Sequence, residues 1–213
     1  MKRCYLVRHA QTDWNSQNRL QGHSDLPLSL VGHEQAKRLG AWFASRHLAG
    51  VFTSALRRSR QTAQTIASGN GHGVQPIIEP ALAEMHLGQW EGLTPEEIDA
   101  RFEGAYQQWR LRPSSVVIPG AEPLEAFRER VRRALDGIVA GLDGGEAVIV
   151  SHGGVIAAIL ADLLGADYDA LLRRLRLDNA GVTAIEFGTA PPHVLWINST
   201  LHLESAAAPD NWF

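Results

Sequence analysis

The sequence predicts an α/β three-layer sandwich with a mainly parallel central sheet and helices on both faces. Three observations carry that reading. Short apolar runs alternate with stretches of helical periodicity over most of the 213 residues. One run, Ala147-Val148-Ile149-Val150, is apolar at every position, as in a strand buried on both faces. The last two runs, 182–187 and 194–197, follow each other closely, as in an antiparallel edge pair.

Residues 4–7 read as a buried strand. Residues 9–29 lack periodicity and contain Gly22, Asp25 and Pro27, so they read as loop. Ser29 opens a helix whose apolar positions run from Leu30 through Leu39 to Phe43 at helical spacing. Residues 50–53 form a brief strand. Ser54 is placed to cap the helix that follows, which runs to about Ala67. Residues 69–73 are a turn and 74–79 a strand. Thr94-Pro95-Glu96-Glu97 starts a helix, with a capping Thr, Pro at the first position and an acid three residues after the cap. Residues 112–122 read as loop, 124–142 as a long amphipathic helix and 155–164 as a helix. No internal repeat and no linker divides the chain, so residues 1–213 read as one domain, with 205–213 as a mobile tail.

Hydrophobic residues make up 45% and charged residues 20%, as in an ordinary globular protein. The formal net charge of −3 provides no global field for nucleic acid or an anionic membrane, so any anion site must be local. Cys4 is alone, which excludes an intramolecular disulfide and a cysteine-rich zinc site. Met1-Lys2-Arg3 resembles the start of a signal peptide, but only four apolar residues follow before Arg8. Residues 155–164 are interrupted by Asp162 and are too short to span a bilayer. A cytoplasmic location is expected.

The chemistry gathers at strand ends. The first strand ends in Arg8-His9, and the run at 147–150 ends in Ser151-His152-Gly153-Gly154 before a helix. In open α/β sheets ligands bind outside the carboxyl ends of strands, so both histidines fall at one edge. The free N–H groups of the helix after Gly153-Gly154 make an anion site there. A third strand end leads to Arg57, Arg58 and Arg60, cations at the positive end of a helix. Arg8, one or more of these arginines, two imidazoles and a helix N-terminus suit a phosphoryl group.

These residues resemble the histidine phosphatase superfamily, the phosphoglycerate mutase-like group. Leu6-Val7-Arg8-His9-Ala10 resembles its signature, with Ala10 where Gly is usual. Trp14-Asn15, then Arg19, Gln21 and Gly22, is similar to the loop that follows. Thr53-Ser54-Ala55-Leu56-Arg57-Arg58 matches the segment with the second family arginine and assigns that part to Arg58. Leu82-Ala83-Glu84, Gly88 and Glu91-Gly92 match the acid-bearing segment, and Ser151-His152-Gly153-Gly154 the second histidine. Five blocks in family order over residues 3–203 are far more specific than any one.

The resemblance implies a metal-independent phosphomonoesterase, with no cofactor, acting on a small phosphorylated metabolite. His9 is then the nucleophile that forms a phosphohistidine. Arg8, Arg58 and His152 stabilise the phosphoryl oxygens, with Asn15, Gln21 and the Gly153 amide as further substrate contacts. Loss of one such donor costs on the order of 3 kcal/mol in the transition state. Glu84 is the candidate general acid, and then the base toward the water; Glu79 and Glu91 are its rivals. Ala10 keeps its N–H, and its methyl is expected to crowd the phosphate slightly. Residues 93–123 form a small helical lid that selects the leaving group, ending in Pro119-Gly120-Ala121-Glu122, which resembles the Pro-Gly-Gly-Glu of phosphatase branches. Trp90, Phe102, Tyr106 and Trp109 read as core or lid aromatics. The other seven histidines, 23, 33, 47, 72, 86, 193 and 202, read as structural, with His23 and His86 near the pocket rim. A phosphoglycerate mutase and an inactive phospholigand-binding module are the alternatives, and a homodimer is compatible with the sequence.

Overall fold

The computed structural model describes residues 1–189 and 191–204, and the expected tail at 205–213 lies outside them. Its frame is one sheet built from β1 (Lys2–Arg8), β2 (Leu48–Thr53), β3 (Pro76–Ile78), β4 (Gly145–Ser151), β5 (Val182–Phe187) and β6 (His193–Ser199). The strand order is β3-β2-β4-β1-β5-β6. β1, β2, β3 and β4 run parallel, β5 pairs antiparallel with β1, and β6 pairs antiparallel with β5. The doubly buried runs occupy the centre, where Cys4 to Val7 and Ala147 to Val150 are essentially inaccessible.

Alternation along the strands divides the core in two. Tyr5, Val7, Val148 and Val150 point toward α2 (Leu30–Phe43) and α3 (Arg57–Asn70). Cys4, Leu6, Ala147 and Ile149 point toward α6 (Leu124–Gly141) and α7 (Gly153–Leu164). Burial pushes the Cys4 thiol up to about 12, so it packs as a small hydrophobe. The pair α2 and α3 touch backbone to backbone, because a Cβ on Gly69 would lie 2.9 Å from Gly40 Cα. The helix after β1 covers one face and the helix after β4 the other. The loops leaving these adjacent strands therefore part, and a crevice opens at their carboxyl ends.

Several sequence expectations need correction. Residues 9–29 are not wholly loop: a one-turn helix, α1 (Asp13–Ser16), is closed by a reciprocal capping box between Thr12 and Asn15. Ser54 does not cap α3, whose N-cap position is Leu56 without a side-chain bond; its hydroxyl is spent elsewhere, as described below. α3 runs to Asn70 and ends on Gly71 at φ +71°, the left-handed conformation glycine adopts without strain. The strand expected over 74–79 is only Pro76–Ile78, an edge strand with a proline. A helix absent from the sequence reading, α8 (Tyr168–Arg174), is capped by Asp167.

Residues 93–123 hold α4 (Pro95–Arg101) and α5 (Ala105–Leu111) with a cluster of their own, Trp90, Ile98 and Ile118 at its centre. Thr94 and Glu97 form the expected capping box on α4. Asp169 of α8 anchors this cap by accepting from the Ser114 N–H (2.9 Å) and hydroxyl (2.6 Å).

Candidate active site

The site follows from strand register. Arg8 pairs with Ser151 across β1 and β4, so His9 and His152 are the next residues out of adjacent parallel strands. The His9 N–H donates to Ser151 O (2.8 Å), and the two imidazoles lie 5.2 Å apart. Both side chains are buried. Burial first, then the positive charges of Arg58 and Arg8, push His9 well below the ordinary histidine range. Burial followed by Arg58 does the same to His152.

The tautomer of His9 is fixed by its neighbours. Its Nδ1 lies 2.8 Å from Ala10 O, and a carbonyl only accepts, so Nδ1 carries the proton. Nε2 therefore presents a lone pair and receives the Nε–H of Arg58 (3.2 Å). Arg58 is 1% exposed and also donates to Ser24 O and Gly22 O (both 2.7 Å). Three of its five donors are thus engaged, and two are left for a ligand. Burial lowers its pKa to about 10, which leaves it cationic at neutral pH. Arg8 donates to Leu177 O, while its buried Nε has no partner among the described residues. Arg57 and Arg60 are exposed, so the register that selected Arg58 selects the inward-facing guanidinium.

Glu84 reaches the same crevice from an irregular segment after β3. Its carboxylate accepts the N–H of Met85 (2.9 Å) and of Gly154 (3.0 Å). The N-terminus of α7 thus holds a carboxylate on the Gly154 N–H, beside the Gly153 amide expected to meet the phosphate. A side chain at Gly154 would collide with Glu84. The rival acids are engaged otherwise. Glu79 caps a short turn through the Ala81 N–H (3.0 Å), and Glu91 accepts from His23 N–H, Leu87 N–H and the Ser24 hydroxyl.

Asn15, Gln21 and Gly153 all line the crevice, a cavity of about 500 Å³ together with Arg8, His9, Arg58 and Glu84. Asn15 Oδ1 accepts from the Thr12 N–H and hydroxyl (both 3.0 Å) and from Asn179 Nδ2 (3.2 Å). Gln21 Oε1 is buried without a partner among the described residues. Ala10 does not line the cavity: it packs fully buried with Tyr5 and Val7, and its N–H donates to Thr62 Oγ1 (3.1 Å). The expected crowding is therefore absent, and the amide supports α3. His23 and His86 meet 5.0 Å apart beside the Glu84 segment, where His23 Nε2 donates to Glu84 O (2.7 Å).

Three contributors escaped the sequence. Ser54 Oγ lies 2.8 Å from His152 Nε2, both groups fully buried, and His152 Nδ1 has no partner among the described residues. Asn179, from the turn before β5, ties His9 O (3.0 Å) to Asn15. The outer wall is apolar: Tyr106 and Trp109, two of the aromatics read as core or lid, are joined there by the unanticipated Met85, Leu87, Tyr168, Leu172, Leu175 and Leu177, the last four from α8 and the residues after it. A serine after a strand signals a cap as readily as a histidine partner, and α8 was not anticipated.

The profile of the histidine phosphatase superfamily (branch 1) matches residues 4–200. The probable phosphoglycerate mutase GpmB of Serratia proteamaculans is 34% identical over 97% of this chain and 93% of its own length. Among solved structures, Bacillus stearothermophilus YhfR superposes with a TM-score of 0.89 at 31% identity, over 96% of this chain and 100% of that one. A mycobacterial glucosyl-3-phosphoglycerate phosphatase reaches 0.84 at 30% identity, over 94% and 100%. The α-ribazole phosphatase from Shigella flexneri reaches 0.83 at 27%, over 92% and 96%. With these likenesses added to paired histidines leaving adjacent strands beside the buried Arg58 and the half-buried Arg8, the chain belongs to branch 1 of the histidine phosphatase superfamily.

Proposed function

We infer that the protein is a phosphomonoesterase that passes the phosphoryl group through His9. The observation that carries this reading is the committed Nδ1–H of His9, which leaves the Nε2 lone pair facing a cation-lined crevice. Nε2 attacks phosphorus in line, and the P–O bond to the leaving group breaks. A phosphoryl oxygen replaces Nε2 as the partner of Arg58 Nε, while Arg8, His152, Asn15 and Gly153 hold the remaining oxygens. Glu84 gives its proton to the departing alkoxide, then takes one from the water that cleaves the phosphohistidine. The products are an alcohol and inorganic phosphate.

The names of the curated relatives favour a second reading, isomerisation of a phosphoglycerate. That reaction requires a cation for the glycerate carboxylate beyond the phosphate. Outside Arg8 and Arg58 the cavity offers Arg19, already bound to Glu97 (2.7 Å) and to Gly92 O (2.6 Å). The apolar outer wall suits a leaving group with hydrophobic surface instead. Incubation with 3-phosphoglycerate and a panel of phosphate esters separates the readings. Release of inorganic phosphate, abolished in His9→Ala, supports the phosphatase. Isomer exchange with phosphate retained supports the mutase, and unchanged phosphate release by His9→Ala overturns both.

A further inference from the structure

The segment that carries Glu84 belongs to no strand or α-helix, so sheet and helix ladders leave its carbonyls without partners. One residue of α6 supplies them. Arg130 Nη1 donates to Ala81 O (2.6 Å) and Ala83 O (2.7 Å), and Nη2 donates to Glu84 O (2.9 Å). Its Nε and Nη2 also hold the two oxygens of Glu122, at 3.0 and 2.6 Å. All five guanidinium donors are used. The intervening carbonyl, Leu82 O, receives the hydroxyl of Ser151, the residue before His152 (2.7 Å).

Glu122 extends the clamp. Its carboxylate accepts the His86 N–H (2.8 Å), and its own N–H donates to His86 O (3.1 Å). Burial pushes its carboxyl up, but Arg130 and the His86 N–H more than offset that and hold it below the usual range. Gln89 N–H donates to Pro119 O (2.9 Å), and Gly88, at φ +52°, leaves no room for a side chain against Gly120. The Pro119-Gly120-Ala121-Glu122 stretch is thus zipped to the Glu84 segment at both ends. Both members of the ion pair are mostly shielded, with side-chain exposures of 24% and 20%.

We propose that the Arg130–Glu122 pair is the positioning device for Glu84, setting where its carboxyl meets the leaving-group oxygen and tying that position to the residues 119–122 that end the lid. Neither side chain lines the crevice, so the pair acts through the backbone it holds and not on the phosphate. Arginine is required because a lysine offers a point charge and cannot span three carbonyls and a carboxylate at once. The proposal rests on the phosphatase reading above, in which Glu84 protonates the leaving group.

The test compares p-nitrophenyl phosphate, whose leaving group departs without a proton, with an alkyl phosphate, whose leaving group requires one. In Arg130→Met, kcat/KM on the alkyl ester, which reports phosphoryl transfer to His9, is expected to fall ~100-fold, within the range for a lost general acid. On p-nitrophenyl phosphate kcat/KM falls less than ~3-fold, while the later hydrolysis of the phosphohistidine slows alike for both esters. Arg130→Lys recovers only part of the alkyl rate. Glu122→Gln, which preserves volume, gives the same selective pattern and carries the test if Arg130→Met fails to fold. In a Glu84→Gln background either change has little further effect on the alkyl ester, because the group being positioned is already gone. Equal losses on the two esters, or additive losses in the double variants, overturn the proposal while leaving the phosphatase reading intact. An inactive wild type, or one without an acid-labile phosphoenzyme, overturns that reading first.

Discussion

Acid should unfold this protein through the two histidines it places in its site. His9 and His152 are buried and held neutral, by burial first and by Arg58 next. In the unfolded chain each titrates near its ordinary value of about 6.5. Below that pH the unfolded state binds more protons than the native state, so stability falls as pH falls. Each ring contributes a slope of about 1.4 kcal/mol per pH unit once its unfolded form is fully charged. Integrated from pH 7 to 5 with the native ring neutral, this is about 2 kcal/mol per ring and about 4 kcal/mol for the pair. That is a large share of the roughly 5–15 kcal/mol typical of a folded domain. His202, lowered to about 4 by burial, adds in the same direction. Burial pushes Glu122 and Asp178 up, yet their hydrogen bonds and ion pairs hold them low, so their loss begins only near the carboxylate range. Urea unfolding at pH 7, 6 and 5, for wild type and His152→Asn, isolates one ring. The variant's slope should be smaller by about 1.4 kcal/mol per pH unit. A free energy of unfolding flat across the window, or equal slopes in the two proteins, would refute the argument.

Catalysis follows the same sign: the acid limb of kcat/KM should fall below pH 6.5, because the free enzyme's nucleophile is already neutral there; a limb at or above pH 6.5 would contradict it. Glu84→Gln should slow alkyl phosphates by ~100-fold and p-nitrophenyl phosphate far less, read as kcat/KM for each ester, which reports phosphoryl transfer to His9. Ser54→Ala removes the 2.8 Å contact to His152 and should lower kcat about tenfold, with a stability loss of about 1–3 kcal/mol by chemical denaturation. Prolonged dialysis against EDTA should leave turnover unchanged, since the proposed charge stabilisation comes from Arg8, Arg58 and His152; loss restored by a divalent cation would show otherwise.

Much of this was readable from residue order. Runs apolar at every position, such as 147–150, gave the central strands. Arg8-His9 and Ser151-His152 fell together because parallel neighbours in register end at one edge. The inward choice of Arg58 over Arg57 and Arg60 came from the family register and agrees with burial. Contacts made by side chains across long sequence distances were not legible. Ser54 carries the composition of a cap but serves His152, 98 positions away. The Gly154 N–H, in the helix opening read as an anion site, seats the Glu84 carboxylate 70 positions away. α8 was missed because seven residues with a single Asp cap give little periodicity. Arg130 sits among the arginines of an amphipathic helix, and only coordinates distinguish the one that turns inward.

The pairing of β1 has a consequence for how the chain is made. Its hydrogen-bonded neighbours are β4 and β5, so Arg8 waits for Ser151, which emerges from the ribosome 143 positions later. At a synthesis rate of about 5–20 residues per second, the strand Cys4-Tyr5-Leu6-Val7 stays without a partner for roughly 7–30 seconds. During that interval an apolar strand with two open edges is the sticky part of the nascent chain. Neither histidine can acquire its buried setting until translation has entered its last third, so a product truncated before β4 carries the first half of the site with no means of using it.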